Sequence, residues 1–270
     1  MKISCSARKD WQYHIRDWVD FQRSHAKMHG GIDINYEDID YVFGFTEEYS
    51  PLYGGRGVEG VGLTKVDLYW IYDKEIGLKL PLSSKSFNEE YYEKSKHILN
   101  KYHREGNAVI VTNDKLADRV RNEYPLFRIE ASAIKDIKDK YSLDKSIDTG
   151  LYDNIVLPIC ANDDIDFLKE INNKDQIRLF INAECSYTCP NKVCYGTTDQ
   201  INKDNRDPDD MLCSHWDLKL PRTFYKENFN WLDFYFDIEK FNALGFSNYK
   251  LLPSWEDQQR TKIMLDTQYR

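Results

Sequence analysis

The stretch AVIVTNDKLADRVRNEYPLFRIEAS, Ala108–Ser132, contains one whole strand–helix–strand unit. "AVIVT" (Ala108–Thr112) is a short apolar run of the kind that forms a buried strand. Asn113 stands at an N-cap position, ahead of the helical "DKLADRVRNEY". "LFRIEAS" (Leu126–Ser132) then returns to strand character. Two strands separated by a helix run parallel, because the crossover brings the chain back to the same end of the sheet.

The same order recurs on both sides of this unit. "DYVFGF" (Asp40–Phe45) and "IGLKLPL" (Ile76–Leu82) precede it as strand candidates. "DNIVLPI" (Asp153–Ile159) follows, leading into "DDIDFLKEINN", whose Ile165, Leu168 and Ile171 share a helical face. "QIRLFIN" (Gln176–Asn182), "LDFYFDI" (Leu232–Ile238) and "NYKLLP" (Asn248–Pro253) complete the series, and a last helix is expected from about Trp255 to Tyr269. Eight strands, most of them separated by helices, predict a (β/α)8 TIM-like barrel. A doubly wound open sheet is the alternative. The whole chain, 1–270, reads as a single domain. Residues 39–270 form the barrel, and residues 1–38 form an N-terminal helical cover around Trp11, Ile15 and Trp18.

Composition narrows the function classes. The chain has 270 residues, 30% charged and 41% hydrophobic, which is a globular profile. No apolar run approaches the roughly 20 residues of a membrane span. The start, "MKISCSARKDW", lacks the apolar core of a secretory signal, so a reducing cytoplasm is expected, with thiols or ligands in place of disulfides. A net charge of −8 argues against coating nucleic acid by bulk electrostatics. The 19 tyrosines, with 6 tryptophans and 13 phenylalanines, exceed what one core hides, so some line a surface or pocket.

Barrel chemistry sits on the loops at the C-terminal ends of the strands. There the sequence places "INAECSYTCPNKVC", Ile181–Cys194. Cys185, Cys189, Cys194 and Cys213 are spaced C-x3-C-x4-C-x18-C, and short loops can converge four sulfurs on tetrahedral zinc or an iron–sulfur cluster. Cys194 and His215 compete for one place in that set, and a thiol-rich loop without metal is the plain alternative. Cys5 and Cys160 stand apart, although Cys160 ends the fifth predicted strand.

The first loop, "YSPLYGGRGVEGVG", contains Tyr53, Gly55, Arg56, Gly57 and Gly60. Its glycines sit too far past the strand for a dinucleotide fingerprint. Backbone amides and Arg56 could instead hold an anionic group, or the glycines could serve only a turn. Strand-end polar residues add Ser132, Asn182 and Asp237 as candidates to position substrate, several of which suit helix caps equally well. Glu130 and Glu184 are the candidates for proton transfer. His25 and His29 share a helix face without an evident third ligand. Serine-hydrolase, zincin and P-loop motifs are absent.

The segment Tyr152–Lys192, "YDNIVLPICANDDIDFLKEINNKDQIRLFINAECSYTCPNK", resembles peptidase family U32, the collagenase-like peptidases. "VTNDKLADRVRNEYPLFRIEAS" is similar to that family's preceding strand pair, and "LGFSNYKLLPSW" to its closing Lys-centred strand. The resemblance implies a TIM-like barrel. It also implies chemistry known among its members, which include iron–sulfur proteins for oxygen-independent hydroxylation of RNA bases and of quinone precursors. Cys185, Cys189 and Cys213 match the family's cysteines, with Cys194 in place of a fourth that lies further on elsewhere. Leu252-Pro253-Ser254 departs from the acidic-Gly-Arg ending of the family. Compact members of this kind occur in phages.

The expectation is therefore an enzyme with a 4Fe-4S cluster held by Cys185, Cys189, Cys194 and Cys213. It would act on a small planar molecule or nucleobase, with RNA among the candidate partners and no membrane partner. Glu184, Glu130 and Asn182 would be catalytic, and Tyr53, Gly55, Arg56, Ser132 and Asp237 would bind substrate. The rival expectation is structural zinc in a non-catalytic binding or host-interaction barrel. A peptidase ranks last, since no nucleophile–base pair is evident.

Overall fold

A computed structural model describes residues 1–7, 14–54, 62–183, 187, 189, 192–204 and 234–253. Eight parallel strands close into one barrel in chain order. They are β1 (Lys2–Ser6), β2 (Ile39–Phe43), β3 (Gly77–Leu80), β4 (Ala108–Val111), β5 (Arg128–Ala131), β6 (Asn154–Val156), β7 (Ile177–Phe180) and β8 (Asn248–Leu251). The described helices between them are α1 (Ile15–Gly30), α2 (Lys65–Asp73), α3 (Glu89–Tyr102), α4 (Asp114–Glu123), α5 (Lys140–Asp148), α6 (Ile165–Glu170), α7 (Val193–Asp204) and α8 (Ile238–Ala243). None of them is long and apolar enough to cross a membrane.

The barrel differs from the expectation at its seam. "KISCS" is its first strand, pairing with β2 on one side and β8 on the other, so residues 2–6 belong to the barrel and not to a cover. The helix that follows, α1, is the crossover between β1 and β2, and its Trp18 Nε1 and Gln22 Nε2 both donate to the Ser6 carbonyl, at 2.8 and 2.7 Å. Of the predicted strand Leu232–Ile238, residues 232 and 233 lie outside the described residues, and the described part, 234–238, is not a barrel strand. Its Tyr235 makes one antiparallel bridge to Asn182, and Ile238 already starts α8. The alternating apolar pattern there serves an aromatic cluster of Phe234, Phe236 and Tyr187 instead of a sheet. The predicted helix from about Trp255 lies outside the described residues, as does Trp11.

Local chemistry sets the helix starts as the sequence suggests. Asn113 Oδ1 accepts from Lys115 N at 2.9 Å, and Asn88, Asp139 and Asp164 cap α3, α5 and α6 in the same way. Asp67 does double duty. It completes a capping box with Thr64 at the start of α2 and also accepts the Ile15 N–H that opens α1, at 2.9 Å. One glycine is fixed by proximity: a Cβ on Gly77 would lie 2.1 Å from the Gly106 carbonyl oxygen.

Strand alternation divides the barrel wall into two faces. One set, including Ile3, Val42, Leu78, Val109, Ile129, Ile155, Leu179 and Leu251, is at most 1% exposed and packs in the main hydrophobic core. The other set carries Ser4, Tyr41, Lys79, Glu130, Arg178 and Lys250, and ion pairs join its members across the barrel. Between Ile3↔Ile39 and Ser4↔Tyr41 the register slips by one residue, so Asp40 is the extra residue of a β-bulge. The slip lets Asp40 reach Arg178, which an unbroken alternation would forbid.

Candidate functional site

Four strands each contribute one charged side chain to the barrel interior. Glu130 (β5) takes Lys79 Nζ (β3) at 2.5 Å and Arg178 Nε (β7) at 3.2 Å on one oxygen, and Lys250 Nζ (β8) lies 3.7 Å from the other. Arg178 also donates to Asp40 at 2.6 Å and to the Tyr249 carbonyl at 2.8 Å. Lys79 sits over the Tyr41 ring and Lys250 over Phe43, 4.1 and 4.2 Å from the ring centres.

Burial here sets protonation. It pushes Glu130 upward, but the charges of Lys79, Arg178 and Lys250 outweigh it and hold the carboxyl at about 2. Burial and the neighbouring Arg178 pull Lys79 down to about 7, against the opposing pull of Glu130 and Asp40. A carboxylate so strongly held is a poor base. Glu130 therefore organises the interior.

A polar cavity of about 510 Å³ opens at the N-terminal ends of the strands, lined by Lys2, Asp40, Tyr41, Arg128, Gln176 and Asn248 among others. That is the end of a barrel at which sequence serves stability. Several of its groups already serve the fold: Gln176 Nε2 donates to Tyr152 O and Asn248 Nδ2 to Asp175 O.

The opposite rim carries the thiols. After β7 the chain returns along the loops of earlier strands. Tyr187 donates to Asp163, beyond β6, at 2.7 Å. Lys192 pairs with Asp136, beyond β5, at 3.3 Å. At the end of α7, Lys203 donates to Ser86, beyond β3, while its carbonyl accepts from Tyr49, beyond β2. The described residues of 187–204 thus form a strap that touches the loops after β6, β5, β3 and β2. Cys189 and Cys194 lie on it, 9% and 8% exposed. The Lys192 N–H donates to Cys189 Sγ at 3.3 Å.

The other candidates fall as follows. Asn182 clamps the ends of two strands: its Nδ2 donates to the Leu252 carbonyl and its Oδ1 accepts the Leu252 N–H, both at 2.9 Å. Ser132 caps the short 3-10 helix Ala133–Lys135, and Asp237 caps α8. Tyr53, buried, shares a hydrogen bond with Thr46 at 3.0 Å. Cys5 points into the outer core, where burial and Asp40 push its thiol up to about 12. Cys160 is exposed on the 3-10 helix after β6. Glu184, Cys185, Cys213, His215, Gly55 and Arg56 lie outside the described residues. Among the described residues no three Cys, His, Asp or Glu side chains come together as a metal site.

Asp40, Lys79, Arg178 and Lys250 were not among the sequence candidates. The three cations had a signal, one charge at an alternate position inside "GLKL", "IRLF" and "NYKL", whereas Asp40 owes its place to the bulge in β2.

No family model matches the chain, and no curated protein matches it. A solved structure described as that of the U32 peptidase Mk0906 has the same fold, with a TM-score of 0.58 over 94% of this chain and 93% of that one. The two are 11% identical, so the likeness shows a U32-like barrel and no more.

Proposed function

We propose that the protein is a redox enzyme whose reaction centre is a thiolate-held iron–sulfur cluster at the C-terminal rim. The observation that supports this most is the Cys189–Lys192 turn. A buried sulfur there receives a backbone N–H, five residues before a second buried cysteine, on the face where barrels carry their chemistry. Soft sulfur donors in this density fit such a cluster, with Cys185 and Cys213 completing the set of Cys189 and Cys194. When bound, a 4Fe-4S cluster supplies one-electron transfer.

The chain's own residues supply the rest. The Asn182 clamp fixes the end of β7, from which the cysteine loop departs. Glu130 and its cations keep the barrel floor rigid, so proton transfer falls to Glu184. Arg56 and the Gly55 amides would bind an anionic part of the substrate, with Tyr53, Ser132 and Asp237 shaping the approach. Oxygen-independent hydroxylation of a planar molecule or nucleobase, free or within RNA, is the reaction this arrangement suits. A cytoplasmic setting suits the abundance of reduced thiols.

Anaerobic purification, an absorbance spectrum and analysis for iron, sulfide and zinc test the proposal. Iron with sulfide, lost in Cys189→Ser, is the expected result. A colourless protein with one zinc would replace the enzyme with a structural zinc barrel. A folded, metal-free protein would overturn both.

A further inference from the structure

Among the described residues, three with side chains adopt positive φ: Glu75, Asp136 and Lys192, at 57°, 59° and 48°. Two of these three are bonded to each other. Asp136 Oδ1 meets Lys192 Nζ at 3.3 Å, joining the loop after β5 to the strap. The left-handed region is disfavoured for a residue with a Cβ, and Lys lacks the local side-chain bond that lets Asp or Asn settle there. Something must therefore hold Lys192 in place.

Its position explains why that matters. Lys192 closes the turn in which its own N–H reaches Cys189 Sγ, and α7 begins at the next residue, with Cys194 in its first turn. The backbone conformation at Lys192 thus sets how the two sulfurs stand relative to each other. On the other side of the pair, Ser132 caps the 3-10 helix Ala133–Lys135, and Asp136 terminates it with φ 59° and ψ 43°. Burial pushes the Asp136 carboxyl up, yet Lys138 and Lys192 hold it below the ordinary carboxylate range. Lys138 is its second cation, at 3.2 Å.

We infer that Asp136 is a positioning residue for the thiol site, acting through its ion pair with Lys192 to keep the Cys189–Cys194 turn in register. The inference rests on the thiolate centre proposed above for its purpose, although the geometry belongs to the chain itself. Ser132 serves the site indirectly, by shaping the turn that delivers Asp136.

The test measures the thiols in the full chain, as purified and after chelation, by N-ethylmaleimide labelling with peptide mass spectrometry of Cys189 and Cys194. Asp136→Asn keeps a residue that tolerates positive φ but removes the charge. It is expected to speed labelling of both cysteines by roughly two- to fivefold, the population shift that an exposed ion pair of this kind commands. Adding Lys192→Gly should restore the slow rate, since glycine holds positive φ without a tether. Lys138→Met, which leaves the Asp136–Lys192 pair intact, should label at the wild-type rate. Wild-type labelling in Asp136→Asn, no rescue by Lys192→Gly, or an equal effect of Lys138→Met would each overturn the inference. Metal content separates the two ideas. A metal-free chain with the expected labelling pattern sinks the cofactor proposal alone, and a metal-loaded chain with unaltered labelling sinks the positioning role alone.

Discussion

Lys79 and Glu130 meet at 2.5 Å with 1% and 2% of their side chains exposed, whereas Lys192 and Asp136 meet at 3.3 Å with 24% and 44% exposed. Both are Lys–carboxylate pairs, yet water is shut out of one and reaches the other. Inside the barrel water cannot replace a lost partner, so removing Glu130 leaves buried cations without the carboxylate they share. On the rim water competes for every contact, so the pair adds little to stability and acts by holding geometry. The same chemistry thus makes a floor in one place and an adjustable fastening in the other.

The contrast is broken most severely by Glu130→Ala, which leaves Lys79 and Arg178 buried without their shared carboxylate. A loss of about 3–5 kcal/mol is expected in urea unfolding. A loss below about 1 kcal/mol would mean that water enters the interior and that the two regions do not differ in kind.

The pH dependence sharpens the point. Glu130 has a folded pKa near 2 against 4.5 for the free group. Its contribution is complete above about pH 4.5 and is lost as pH falls through about 2, and Glu130→Gln should remove that acid limb. Lys79 has the opposite history, lowered from 10.5 to about 7. The unfolded chain binds the extra proton between those values, so stability rises from about pH 7 to 10.5, and Lys79→Met should flatten the rise. Denaturant midpoints across a pH series check both.

Next in size is Asn182→Ala, which strips the Leu252 N–H and carbonyl of their partners. A loss of about 2 kcal/mol follows from two buried hydrogen bonds. Thermal unfolding reads it, and an unchanged Tm would show that water satisfies the strand ends.

The smallest effect belongs to the rim. Lys192→Met should change global stability by less than about 1 kcal/mol, and less again in high salt. A larger, salt-independent loss in urea unfolding would place this pair with the interior ones.

The strand–helix alternation was legible because buried parallel strands leave short apolar runs between capped helices, and seven of the eight barrel strands were found that way. "KISCS" escaped because a five-residue strand with polar alternation has no strong signature of its own. "LDFYFDI" misled for the converse reason: alternating aromatics pack equally well in a loop cluster. At the site, residue type revealed the thiols but not their support. Asn182 read as a catalytic candidate because strand ends attract both substrate ligands and clamps. Asp136 and Lys192 gave no signal at all, since positive φ at a non-glycine residue is imposed by the fold. The interior cations were overlooked because a single Lys or Arg within an apolar run does not disturb its overall character.

Lys2 and Asn248, paired across the seam between β1 and β8, are separated by about 245 residues of chain. At roughly 5–20 residues per second of synthesis, β1 waits about 12–50 s for its second partner. Until then the nascent sheet has two open edges, Lys2–Ser6 on one side and the most recent strand on the other, each able to recruit a foreign strand. The barrel is thus a ring fastened last, by a clasp whose two halves are synthesised about 245 residues apart. Ribosome pausing before β8 would lengthen the interval in which the chain depends on chaperones.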